Sequence, residues 1–263
     1  DVVNIAQPFV SWNWKAGTSF TNDASATGIG TIDSTGSFNN TSGFSIVSYS
    51  GTGSAGTIKH GLSTVPKMII VKSTSHVENW TVYHSSLGGG GYIYINNTDA
   101  ATTGNTSIWN GTSPTSSVFS VGTDGTSNGS GKDYVGYCFA EVQGYSKFGS
   151  YLGNGNTANN TFVYTGFKVG YVLIKRSNSA GEGWFIFDST RSPANVNVNE
   201  LRADVDSAEA TGSHYIDFLS NGFKPKTNGA GIGGSGDTYI YMAFAENPFV
   251  TSTDNGSIPA CAR

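Results

Sequence analysis

Bulky apolar side chains fall on alternate positions in three short stretches of the chain. In residues 134–141 (YVGYCFAE) they are Val135, Tyr137 and Phe139, and in residues 239–246 (YIYMAFAE) they are Ile240, Met242 and Phe244. A looser copy, residues 9–16 (FVSWNWKA), places Phe9 ahead of Val10, Trp12 and Trp14. A period of two predicts strands, because successive side chains of extended backbone point to opposite faces. The intervening positions are mostly small or polar, so the bulky side is expected on the core and the other side on a second layer or solvent.

The same alternation, broken by Gly, Asn and Ser turn signals, predicts seven strands in a first unit: residues 44–49, 56–60, 67–72, 80–84, 92–95, 118–121 and 134–141. A second unit repeats the landmarks. Tyr49 answers Tyr151, the run 67–72 (KMIIVK) answers 170–175 (GYVLIK), and 80–83 (WTVY) answers 184–187 (WFIF). A repeat of this length is far longer than a solenoid or propeller unit. The expected organisation is therefore all-β, with two tandem, internally duplicated β-sandwich domains of jelly-roll or concanavalin-like lectin type. Residues 1–16 read as the closing strand of a preceding module or as an exchanged strand, and 17–43 as a linker. Repeat 1 covers 44–145, repeat 2 covers 146–249, and 250–263 form a polar tail. The charged run 196–210 is expected as a helical turn or long loop.

Composition narrows the function. Charged residues make up 12% of the 263, Gly numbers 36, and the formal net charge is -4. Scattered Lys and Arg on an acidic chain argue against nucleic acid. Nothing in the chain is apolar for long enough to span a bilayer as a helix, so membrane insertion is not expected. Cys138, in an expected core strand, and Cys261, near the end, are expected as free thiols, since pairing would need the tail to fold back. The missing initial Met suggests a processed protein or a piece of a longer one.

No catalytic motif emerges, and neither a cofactor nor a metal is expected. Glu141 and Glu246 occupy equivalent strand ends, and each is expected to have a structural partner. His84, at the position of Asp188, is expected at a surface strand end. The run 124–129 (DGTSNG) begins like a calcium loop but has Val135 at the twelfth position, where a bidentate Glu is needed, so a hairpin turn is expected. Trp80 and Trp184, shared by both units, are expected in the core. Aromatic residues peculiar to one unit are better ligand candidates: Tyr92 and Tyr94 after a run of four glycines, and Trp109 in a turn-rich loop. Such rings stack on sugars. Phe9, Val10, Trp12 and Trp14 are the candidate assembly strand.

The motifs GFSIVSYSGTGSAGTIKHGL (43–62), PKMIIVK (66–72), WTVYHSSLG (80–88), YCFAEVQGYSKFGSYLGNG (137–155), FLSNGF (218–223) and YIYMAFAENPF (239–249) resemble a largely uncharacterised family. Its members are virion structural proteins, often tail fibres or tail-associated proteins, of marine bacteriophages including cyanophages. The resemblance implies a place on a virion surface and supplies no catalytic residues. The expectation is attachment to a host cell-surface glycan or protein. The alternative is a capsid decoration or self-assembling fibre subunit that uses strand exchange, and a depolymerase is a third reading. Partners would be other virion proteins or copies of the chain itself, in a homo-oligomer.

Overall fold

Where the sequence alternates and is punctuated by turn residues, the chain forms strands, and nearly every strand has its neighbour in one of two large sheets. The computed structural model describes residues 9–247. Its first strands are β1 (Thr18–Asn22), β2 (Ser34–Asn39), β3 (Phe44–Ser50), β4 (Gly56–Lys59), β5 (Pro66–Ser73), β6 (Thr81–His84), β7 (Ile93–Tyr94), β8 (Val118–Val121) and β9 (Asp133–Ala140). There follow β10 (Ser146–Leu152), β11 (Val163–Tyr164), β12 (Val169–Arg176), β13 (Trp184–Asp188), β14 (Asn197–Arg202), β15 (Ala210–Leu219), β16 (Gly222–Pro225) and β17 (Thr238–Ala245). The single-turn helices α1 (Ala24–Thr27) and α2 (Gly125–Asn128) interrupt them.

The first sheet has seven antiparallel strands in the order β1-β2-β3-β9-β5-β6-β7, and β4 pairs with β8 in a small second layer. The other large sheet has eight, β10-β17-β12-β13-β14-β15-β16-β11, and curls until it is nearly a barrel. Within each, one order recurs: β3-β9-β5-β6 in the first sheet and β10-β17-β12-β13 in the second. Details recur too. Tyr49 stacks on Tyr134 at 5.2 Å, and Tyr151 on Tyr239 at 4.9 Å. Each of the four hydroxyls donates to a main-chain carbonyl, of Ser127, Gly125, Ile232 and Ala230 in turn.

The bulky face of each closing strand lies in a core, as expected, but that core is shared by the two large sheets, and the opposite face is covered by a core of its own. Phe139 of β9 and Ile240, Met242 and Phe244 of β17 meet in a layer shared by the two large sheets, with Phe44, Ile70, Leu173 and Trp184. The small face of β9 lines the first unit's own core, where Cys138 and Ala140 lie beneath Ile58, Trp109 and Phe119. The physical reason is room. A Cβ on Gly136 would already be 3.7 Å from the Phe119 ring and 3.2 Å from Val47. Larger residues on that face would push the covering layer away. The second unit's core gathers Tyr239, Tyr241 and Ala243 under Phe218, Phe223 and Ile232.

Three further expectations change. The stretch 17–43 is not a linker: it supplies β1, α1 and β2, with Phe20 and Phe38 packed on the first core. The run 196–210 holds β14 and the first residue of β15 instead of a helical turn. Residues 9–17 have no strand structure. They cross the shared layer as a strap, Trp12 packing on Tyr171 at 5.2 Å and Trp14 on Phe139 at 5.7 Å. Phe9 and Val10 are exposed, so the candidate assembly strand rests on its own chain through Trp12 and Trp14 alone. Residues 1–8, the tail and Cys261 lie outside the described residues.

Candidate functional site

Four strands of the first sheet end together, and their ends form a polar cleft of about 380 Å³. β1 stops at Asn22, β2 starts at Ser34, β3 stops at Ser50 and β9 starts at Asp133. Their register aligns Thr21, Thr35 and Ser48 in a row of hydroxyls across three strands. The stacked Tyr49 and Tyr134 rings line the cleft on its buried side.

Three exposed aspartates complete it, and each is held by a hydrogen bond to one oxygen. Asp23 caps α1, its Oδ1 accepting from the Ala26 N–H at 3.0 Å and from Ser25 Oγ at 2.7 Å. These bonds hold its carboxyl below the usual range, the Ser25 hydroxyl most of all. Asp33 Oδ1 accepts from the Ala24 N–H at 2.8 Å, and Asp133 Oδ1 from Ser50 Oγ at 2.7 Å. Among the described residues, none of the three is in an ion pair, and no hydrogen bond is made to any of their Oδ2 atoms. Fixed acceptors beside freely rotating hydroxyls suit a ligand rich in O–H groups. The negative charge favours neutral or cationic ligands over acidic ones.

The ligand candidates read from the sequence lie elsewhere and do not converge. Trp109 is 2% exposed and sits in the first core against Tyr83, so it presents no face to solvent. Turn-forming neighbours put it in a loop, but the loop folds inward over β9. Tyr92 and Tyr94 are half-buried neighbours, with ring centroids 5.3 Å apart. Burial first, then Tyr92, pushes the Tyr94 hydroxyl up to about 12. The Tyr94 carbonyl accepts the indole N–H of Trp184 at 2.9 Å, which ties β7 to the other sheet. Trp80, expected in the core, is 37% exposed, whereas its counterpart Trp184 is fully buried.

The titratable groups singled out for chemistry are mostly structural. Glu141 pairs with Lys147 and Glu246 with Lys168, both at 2.7 Å, as strand-end acids with partners. His84 is buried, not at the surface. Its Nε2 donates to the Tyr241 carbonyl at 3.1 Å and its Nδ1 accepts from the Ser86 N–H. His60 donates likewise to the Thr115 carbonyl, and burial pulls both imidazoles down to about 4. The run 124–129 forms α2 with Asp124 as its cap, in place of a hairpin turn. Cys138 is enclosed in the first core, where burial pushes its thiol up to about 12. His214 Nδ1 meets the buried Glu200 carboxylate at 2.8 Å, a pair to which sequence spacing gave no clue. Its Nε2 lies against the glycine loop: a Cβ on Gly231 would be 2.4 Å away.

Half of the cleft, Thr21 to Asp23 and Asp33 to Thr35, sits in the stretch read as a linker, which hid the site from the sequence. One signal was present there: Asp23 followed by Ala-Ser-Ala-Thr and Gly28, a cap, a helical turn and a glycine at φ +66°. Among the described residues, no group of three or more His, Cys, Asp or Glu is placed to hold a metal, and no helix is long and apolar enough to cross a membrane. No curated protein and no solved structure was found to match the chain. A family model does match, over residues 1–248, nearly the whole length, and the chain belongs to that family, described as Domain of unknown function (DUF7483).

Proposed function

We propose that this protein is a glycan-binding module displayed on a virus particle, and that the cleft at residues 21–35, 48–50 and 133 takes a neutral or basic saccharide. The observation that carries the binding reading is the cleft itself: three carboxylates, each with one oxygen anchored and the other without a hydrogen bond among the described residues, beside a row of hydroxyls. Virion display rests on the sequence resemblance and on a surface solvated mainly by hydroxyls and amides. The recurring strand order and the twin tyrosine stacks support a tandem duplication of sandwich-like units. Assembly by strand exchange is less favoured, because Trp12 and Trp14 pack against their own chain.

A glycan array followed by calorimetry tests the proposal. Binding should be confined to neutral or amino sugars and fall about tenfold or more in Asp133→Asn and Asp33→Asn, each of which removes a charged acceptor. A preference for acidic glycans, or unchanged binding in both variants, would overturn the assignment. Mass spectrometry of purified particles tests the display reading separately.

A further inference from the structure

A second cleft, of about 430 Å³, opens between the two large sheets beneath the strap of residues 9–17. Facing sheets pack roughly 10 Å apart, a spacing that side chains normally fill. Here Ile46, Ile70 and Leu173 are shorter than the aromatic residues beside them, and a slot remains. Its walls are mostly apolar. The polar exceptions are Asn13, Tyr137 and Tyr171; Tyr171 is only 8% exposed, and its hydroxyl makes no hydrogen bond among the described residues. A hydroxyl with no protein partner can both donate to and accept from a ligand atom that meets it.

The strap above the slot is held by rings more than by backbone. Trp12 lies between the Tyr171 ring and the Arg191 guanidinium, 5.8 Å from its ring centroid, and Arg191 is fixed by Asp188 at 2.5 Å. Trp14 packs on Phe139, Tyr171 and Phe244. No sheet ladder holds the segment; near its end the Gly17 N–H donates to Ser37 Oγ and the Lys15 carbonyl accepts from Asn39. Such a cover can lift without breaking a sheet.

We propose that this slot is a binding site for a planar, largely apolar small molecule with one polar end, which hydrogen-bonds to the Tyr171 hydroxyl while the Trp12–Trp14 strap closes over its face. The size and the mostly apolar lining with a few polar groups are those of small-molecule sites. The site is separate from the polar cleft, so either reading can fail alone.

The test titrates the full chain with N-phenyl-1-naphthylamine, following probe emission, tryptophan quenching and the melting temperature. Saturable one-site binding in the micromolar range with a raised melting temperature is expected. Ile46→Trp, which fills the slot from its mouth, should abolish binding, and Tyr171→Phe, which removes only the hydroxyl, should weaken it about tenfold. Absence of saturable binding, or binding that survives both substitutions, would overturn the site. Loss with Ile46→Trp but not with Tyr171→Phe would overturn the role given to the hydroxyl. If Ile46→Trp fails to fold, Tyr171→Phe decides alone.

Discussion

Individual buried polar atoms fasten this fold wherever the chain turns. Tyr239 illustrates the energetics: its hydroxyl donates to the Ala230 carbonyl at 2.7 Å and accepts from the Gly234 N–H at 2.9 Å. Tyr239→Phe leaves both groups unpaired in a buried loop and should cost about 1–3 kcal/mol, read as a lower midpoint in urea. His60 and His84 give the molecule a pH dependence. Each is neutral when folded, with a folded value near 4 against the ordinary 6.5, so the unfolded chain binds the protons more readily. Their stabilisation is complete above pH 6.5 and is lost as pH falls towards 4, about 3 kcal/mol for each histidine. Denaturant midpoints from pH 7 to 4.5 should fall, and His84→Asn should remove about half of the slope.

Strand by strand, the sequence was most readable where large residues alternate. Residues 118–121 are expected as a strand and form β8, and the other six strands expected in the first unit all lie within two residues of their limits. The one expected at 92–95 forms only the short β7. β1 and β2 escaped notice because Phe20 and Phe38 are their only large side chains among Gly, Ser, Thr and Asn. A sheet edge needs little apolar surface, and the same composition that hides it supplies the hydroxyl row of the cleft. The two units also share a tight spot after their first strands. A Cβ on Gly51 would lie 2.3 Å from the Gly129 carbonyl, and one on Gly153 equally close to the Gly234 carbonyl. Gly51→Ala and Gly153→Ala should therefore each destabilise by about 2 kcal/mol or more, whereas Lys147→Ala, which breaks an exposed ion pair, should cost less than about 1. Equal melting temperatures for the two glycine variants and the parent would contradict this.

The two large sheets are joined through a shared layer of bulky side chains, and this predicts a single cooperative unfolding unit. The bonds from His84 to Tyr241 and from Trp184 to Tyr94 cross the same boundary. Scanning calorimetry of the full chain should show one transition with equal calorimetric and van't Hoff enthalpies. Phe139→Ala, which removes a ring from the shared layer, should lower that single transition by about 3–5 kcal/mol in stability without splitting it. Two separated transitions would mean that the units stand alone. This sharing was not legible in the sequence: alternation says that a strand has two faces, but two apolar faces do not say which one meets which neighbour.

In both sheets the strand made last is inserted centrally. β9 enters between β3 and β5, and β17 between β10 and β12, so neither sheet can be zipped up in the order of synthesis. A nascent chain carries two unpaired inner edges for each unit until residues 133–140 or 238–245 leave the ribosome, and open edges invite pairing with other chains. A truncation just before residue 238 would thus do more than remove β17: it would leave β10 and β12 as exposed templates for aggregation.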